Sequence, residues 1–541
     1  MTSEAIVEAL EKATHDEDIT KVERDKQALQ AEIHHKMAIF FFTKFPRNKL
    51  LTALLILLAI AAAGLMLYST PLGVGLGFDS VAYISAGRNL VNGIGLGRFT
   101  CLGFKPMTLW PPLYPFILAF FSFFGLDALV AARIVSAVGF GLSVFLAGFT
   151  VSRITRSLVF PLMGASLIFL YSPILRTFSW AMSEALYIPL ALAAFIILGK
   201  YLVHSRQNYP IYSALLVGST ILTRYIGVSI LAIGILVLIL DNKYSFGRRI
   251  KNIFLFSAIA SCPLLGWMVR NEFVASSTTS RKFGFTFIQM IDLDPFIKQI
   301  TSWILPVSYT IHRMRLLLIG MCFIGFVVLT IYIIIMKRKK FSEEFNLLIL
   351  FLLHNLIYPL VVIATMVFII PSISTVDERI MIPLLISSLI LFAFILVYAW
   401  NTQKWFLRII CLLIFIWMIV YNLPQQIETI KTLHSDGQGY AARIWQESAA
   451  IVYLKRMPTD MIYTNDFQAL YFMADKNACI LPNNEETLVQ MQENIHRENG
   501  SVVIIGDHLP EFLPIEDMVE GMSLVKEFPD VRIFQYISNE P

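Results

Sequence analysis

The chain is 541 residues long, 57% hydrophobic and only 15% charged, with a formal net charge of +5. Soluble domains carry nearer a quarter of charged residues, so the composition excludes an ordinary soluble protein, and the long apolar runs point to lipid. The positive balance does not point to nucleic acid, because Lys and Arg sit in short clusters between those runs.

Residues 1–48 are polar, mixed in charge and helix-prone, and read as a cytoplasmic helical segment. The first apolar run lies too far from the start for a secretory signal peptide, so it reads as an uncleaved anchor. A span needs about 20 mostly apolar residues to cross roughly 30 Å of hydrocarbon. By that measure the spans fall near 50–68, 131–152, 157–174, 183–203, 209–223, 225–241, 251–269, 314–336, 346–370, 380–400 and 406–424.

With the amino terminus inside, the basic clusters all land on the cytoplasmic side, as the positive-inside rule requires. They are Lys44, Arg47 and Lys49; Arg153 and Arg156; Lys200 and Arg206; Lys243, Arg248, Arg249 and Lys251; Lys337 to Lys340; and Lys404 with Arg408. The run 113–126 (LYPFILAFFSFFGL) is short and follows Pro111-Pro112. Counting it as a span would invert every later loop, so it reads as a helix in the outer interface.

The outside then receives a first long loop (69–130), the turn 175–182, a second long loop (270–312), the segment 371–379 and the tail 425–541. The tail holds short β-type runs (IVYL, MIYTN, SVVIIG, VRIFQYI) between helix-compatible stretches, which predicts a small extracytoplasmic α/β domain. It contains no Gly-rich phosphate loop and no zinc spacing, and reads as a lid or docking domain. The expected fold is therefore an all-α polytopic membrane module over 49–424 with that α/β domain appended. Cysteines stand at 101, 262, 322, 411 and 479 with no CxxC pair. Cys101 and Cys479 both fall outside, where a disulfide is open to them.

Ionisable groups near membrane depth are costly, so those at the outer span ends ask for a reason. Asp79 stands at the start of an amphipathic helix over 79–91, either as its cap or as a functional carboxylate. Arg176 and Glu184 flank the start of the fourth span, where the helix macrodipole also favours a carboxylate. Arg224 interrupts an apolar stretch in LTRYIG, Arg270 and Asn271 end the seventh span, and Asp377, Glu378 and Arg379 open the tenth. Snorkelling accounts for one such arginine, but several at the outer ends run against the positive-inside bias. Forked Arg donors beside carboxylates suit an anionic group held next to a proton acceptor.

The stretches FDSVAYISAGRNLVNG and WPPLYPFILAFFSFFGLDALVAARIVSAVGFG resemble the first outer loop of GT-C-type membrane glycosyltransferases, which include protein mannosyltransferases and the aminoarabinose lipid A transferase. The resemblance continues through SEALYIPL, LTRYIG, GWMVRN and DERIMIPLL, over roughly residues 50–400. It implies many transmembrane helices, a site on the extracytoplasmic face and a polyprenyl-phosphate sugar donor. Asp79 matches the family's catalytic base, and Glu184 a second acidic position. Arg224, Arg270 and Arg379 become candidates for the donor phosphate, and Tyr83, Arg88 and Arg176 for other substrate contacts.

Two positions depart from the family: Ser80 follows Asp79 where many relatives have a second acid, and Trp110 stands where some have Lys. No metal ligand set is read from the sequence, and dependence on a divalent metal stays open. The acceptor is a protein, lipid or glycan, and the short loops suit a bacterial inner membrane. A transporter or lipid flippase would want charges along a path and repeated halves, and neither is evident. A non-catalytic scaffold with an outer binding domain is the other alternative.

Overall fold

The computed structural model describes residues 49–204, 209–241, 244–286, 294–305, 325, 343–370, 377–401, 404–459, 461–506 and 512–536. The expected helical segment 1–48 and the expected span 314–336 lie outside the described residues, Gly325 excepted. The chain divides into two compact units, Met1–Leu54 and Leu55–Pro541. Of the first unit only the opening turns of helix α1 (Lys49–Ser69) are described.

Seven described helices are long and apolar enough to cross a membrane, eight if one bent pair counts as a single span. They include α1, Ala128–Ser152, Glu184–His204, Phe246–Ala275, Glu343–Phe368, Glu378–Asn401 and Trp405–Ser435. The bent pair, Val159–Leu170 and Ser172–Phe178, turns by 63° at Tyr171. Pro173 sits in the first turn of the second piece, where its missing N–H has no intrahelical partner to lose. Of the remaining expected spans, 209–223 and 225–241 are shorter apolar helices. They part at Arg224, whose backbone is extended (φ −150°, ψ 133°), before a 3₁₀ turn at Tyr225–Gly227. The chain is thus a polytopic, mainly helical membrane protein.

The run after Pro111-Pro112 forms a helix only ten residues long, Leu113–Ser122, about 15 Å at 1.5 Å per residue and too short to cross. It buries Tyr114, Leu118 and Ala119 and exposes Phe116 and Phe120. The last membrane helix runs on to Ser435, eleven residues past the expected end at 424, straight through Pro424.

Three separate segments are tied by backbone hydrogen bonds at one end of the bundle. The Gly75 N–H donates to the Ser179 carbonyl (2.7 Å), the Ala181 N–H to the Gly75 carbonyl (2.8 Å) and the Tyr440 N–H to the Leu76 carbonyl (3.0 Å). Gly75 is required there, because a Cβ would stand 2.9 Å from the Trp180 ring. From this tie the chain enters helix α2 (Phe78–Val91) and a hairpin of β1 (Gly97–Thr100) and β2 (Gly103–Pro106). A second pair of strands, β3 (Lys282–Phe283) and β4 (Ile369–Ile370), is antiparallel.

The tail forms the expected α/β fold. Its strands are β5 (Ile462–Thr464), β6 (Cys479–Ile480), β7 (Ser501–Ile505), β8 (Ser523–Phe528) and β9 (Val531–Gln535), in the order β6-β5-β7-β9-β8. The first three are parallel, and β9 and β8 join antiparallel. Alternation sets the two faces: Val503, Val531 and Ile533 enter one core, and Val502, Ile504 and Phe534 the other. The first of these cores also takes in Val81 from α2. Cys101 and Cys479 form a disulfide, joining the hairpin tip to β6.

Candidate active site

Helix α2 places Asp79 in its first turn, but the side chain does not cap the helix. The capping interaction comes from Ser80, whose hydroxyl accepts the Gly77 N–H at 3.1 Å. The two Asp79 oxygens look in different directions. The Trp110 indole N–H donates to Oδ1 at 3.2 Å, and the Arg379 guanidinium stands 3.6 Å from Oδ2. Arg379 is anchored in turn by Asp377, at 2.6 Å. Burial pushes the Asp79 carboxyl above its ordinary range; Arg379, then Arg224 and Trp110, oppose that, while Glu184 reinforces it.

Asp79 and Arg379 line a cavity of about 720 Å³. Arg176 lines it too, with Nη1 3.2 Å from Glu378 and Nη2 donating to the Thr429 hydroxyl at 3.4 Å. The far wall is the extension of the last membrane helix. Gln425, Glu428, Thr429 and Thr432 stand at i, i+3, i+4 and i+7 and so present one polar face. Its spacing is a signal the sequence carries, beyond the expected end of the span at 424.

The other candidates lie behind or beside this cavity. Glu184 is 1% exposed and pairs with Arg224 at 2.5 Å. Arg224 also reaches the Ser183 hydroxyl at 3.4 Å, and that hydroxyl shares a 3.2 Å hydrogen bond with Tyr83. None of Tyr83, Glu184 or Arg224 lines the 720 Å³ cavity: Tyr83, on α2 itself, and Glu184 are buried, and Arg224 is half-buried beside them. Arg88 makes a bidentate pair with Asp127, 2.9 Å on each arm, and points to the Tyr471 hydroxyl of the tail domain at 3.5 Å. Arg270 donates to the Met107 carbonyl at 2.9 Å and the Leu96 carbonyl at 3.3 Å, fastening the two chains that leave the hairpin.

Among the described residues no group of three or more His, Cys, Asp or Glu side chains is placed to hold a metal ion.

No protein-family model and no curated protein matches this chain. Solved structures do. ArnT from Cupriavidus metallidurans bound to undecaprenyl phosphate superposes with a TM-score of 0.53 at 12% identity, over 90% of this chain and 99% of that one. ArnT from the same organism in the apo state gives 0.48 at 14% identity, over 90% and 98%. The mycobacterial arabinofuranosyltransferase AftD gives 0.47 at 12% identity, over 90% of this chain and 42% of that one. At such identity the likeness is one of fold alone, and the fold is the one seen in ArnT.

Proposed function

We propose that this protein is a membrane glycosyltransferase that moves a sugar from a polyprenyl-phosphate donor to an acceptor on the extracytoplasmic face, with Asp79 as the base. One observation carries the reading: a carboxylate at the start of a short loop helix, held on two sides by Trp110 and Arg379, lines a large cavity. The ArnT fold, seen with undecaprenyl phosphate in that protein, supports the donor class.

In the reaction, the acceptor hydroxyl oxygen attacks the anomeric carbon as the bond from that carbon to the phosphate oxygen breaks. The hydroxyl proton passes to Asp79, polyprenyl phosphate leaves, and the anomeric centre inverts. Arg379 is the residue of the expected phosphate set that reaches the cavity, with Arg176 beside it. Its contact with Asp79 is loose, so an arriving phosphate competes for the guanidinium and leaves the carboxylate more basic. Arg224 with Glu184 shapes the field at Asp79 from below, and Arg270 positions the loop carrying Trp110.

General-base assistance contributes about 10²–10⁴-fold, so Asp79→Asn is expected to lower turnover by that factor and keep the fold. The assay is release of polyprenyl phosphate by the purified protein supplied with a panel of polyprenyl-phosphate sugars. Normal turnover by the variant would remove Asp79 from the chemistry, and no release from any donor would remove the donor class.

A further inference from the structure

A second cavity, of about 190 Å³, lies on the other side of α2, against the hairpin. Phe78 lines both cavities, and Trp110, the hydrogen-bond donor to Asp79, lines only this one. The two differ in charge. The larger has Asp79, Asp377, Glu378 and Glu428 against Arg176 and Arg379, whereas the smaller has Arg98 and Lys105 and no acidic residue.

Arg98 and Lys105 are directly opposite each other in the β1–β2 register, so both side chains leave the same face of the hairpin. Like charges in that position repel and destabilise a pair of strands, and a hairpin of two four-residue strands has little other sheet energy to offset them. No described carboxylate forms an ion pair with either cation. The Arg98 guanidinium instead lies over the Phe467 ring of the tail domain, its Cζ 3.8 Å from the centroid. Burial lowers the Arg98 pKa, and no neighbouring anion restores it. The disulfide at Cys101 ties the hairpin turn to β6, which fixes the strands that carry the two residues.

We infer that Arg98 and Lys105 form an oxyanion subsite that binds a phosphate group carried by one of the two substrates. The inference rests on the transferase reading for the word substrate, but the binding itself does not need transfer to occur. An anion there satisfies both cations at once, with the forked guanidinium giving direction and the ammonium adding charge. The cavity is also lined by Trp110, whose N–H donates to Asp79, so its occupancy bears on the base.

The test uses the full chain in detergent, with inorganic phosphate as the first probe and undecaprenyl phosphate as the second. Phosphate is expected to raise the melting temperature of the wild type. Losing one charge-assisted partner should weaken that binding by about tenfold to a hundredfold in Lys105→Gln and in Arg98→Gln. Without phosphate, Lys105→Gln is expected to melt no lower than the wild type, because it relieves the like-charge pair; this variant guards against simple misfolding. In the transfer assay, a raised acceptor KM puts the phosphate on the acceptor, and a raised donor KM, with weaker undecaprenyl phosphate binding, puts the donor phosphate here in place of Arg379. Either outcome supports the subsite. Phosphate stabilisation that persists unchanged in both variants, with neither KM moved, overturns it. Phosphate binding with no transfer from any donor would leave the subsite standing and sink the transferase reading.

Discussion

Asp79 has one neutral donor in hydrogen-bond reach, Trp110, and one cation in ion-pair reach, Arg379, and their effects can be separated. Both favour the carboxylate form, while burial and Glu184 work the other way. A base must be deprotonated to act, so activity rises with pH through the Asp79 pKa and then levels off. Trp110→Phe keeps an aromatic ring in place but deletes the N–H bonded to Oδ1. The carboxylate then loses a partner, its pKa rises further, and the acidic limb of kcat/KM against pH is expected to move to higher pH. Arg379, Arg224 and Glu184 still face Asp79 in the variant, so the limb moves without disappearing. A limb that stays where it was would show that the indole does not act on Asp79. At this scale the sequence was a fair guide to charges and a poor one to partners. Asp79 and Arg379 stand out because an ionised group near lipid is costly. The bond from Trp110 spans 31 positions, and no local pattern carries a contact of that separation.

Close packing of elements explains why Glu184 is buried. The helix Ala128–Ser152 approaches the start of Glu184–His204 so closely at Gly139 that a Cβ there would fall on the Ala185 carbonyl oxygen. Backbone carbonyls cannot swing aside as side chains do, so the helices must separate to admit any larger residue. Gly139→Val is therefore expected to destabilise the protein by about 1–3 kcal/mol and to move the Glu184 end of its helix. Thermal melting in detergent reads the first effect. The second appears as a fall in kcat larger than that of a comparable change at Gly64, where an added Cβ meets nothing within 4 Å. Equal effects at the two glycines would mean that the close approach does not position the site. Most elements are legible in the sequence because apolar run length decides a span. The end of the last helix is not, because Pro424 and the polar run after it read as a stop. The structure carries the helix through, and Pro424 is tolerated inside it.

At the scale of the molecule, an unbroken dependence runs from the tail domain to α2. Val81 is part of the domain core, Arg88 reaches Tyr471, Arg98 lies on Phe467, and Cys101 is bonded to Cys479. The α/β nature of the tail is readable from its alternating apolar strands, and the cysteine pair was left open because two cysteines 378 residues apart show no proximity in sequence. The disulfide follows only once the fold sets their Cα atoms 5.3 Å apart. Closing so long a loop restrains the unfolded chain, and removing such a bridge typically costs about 2–5 kcal/mol. Cys101→Ser with Cys479→Ser is accordingly expected to lower the melting temperature and to let the hairpin move against the domain. If the domain positions α2, kcat falls more than thermal stability at the assay temperature accounts for, and Asp79→Asn becomes less harmful in the bridge-free background. If the bridge only staples, kcat at a temperature where both proteins are folded stays unchanged. The same pair reports on topology, since disulfides persist in oxidising compartments. In intact cells Cys101 and Cys479 of the wild type should resist a membrane-impermeant alkylating reagent until an impermeant reductant frees their thiols. Labelling that instead requires the membrane to be opened would place the hairpin and tail domain on the cytoplasmic side and overturn the proposed orientation of the site.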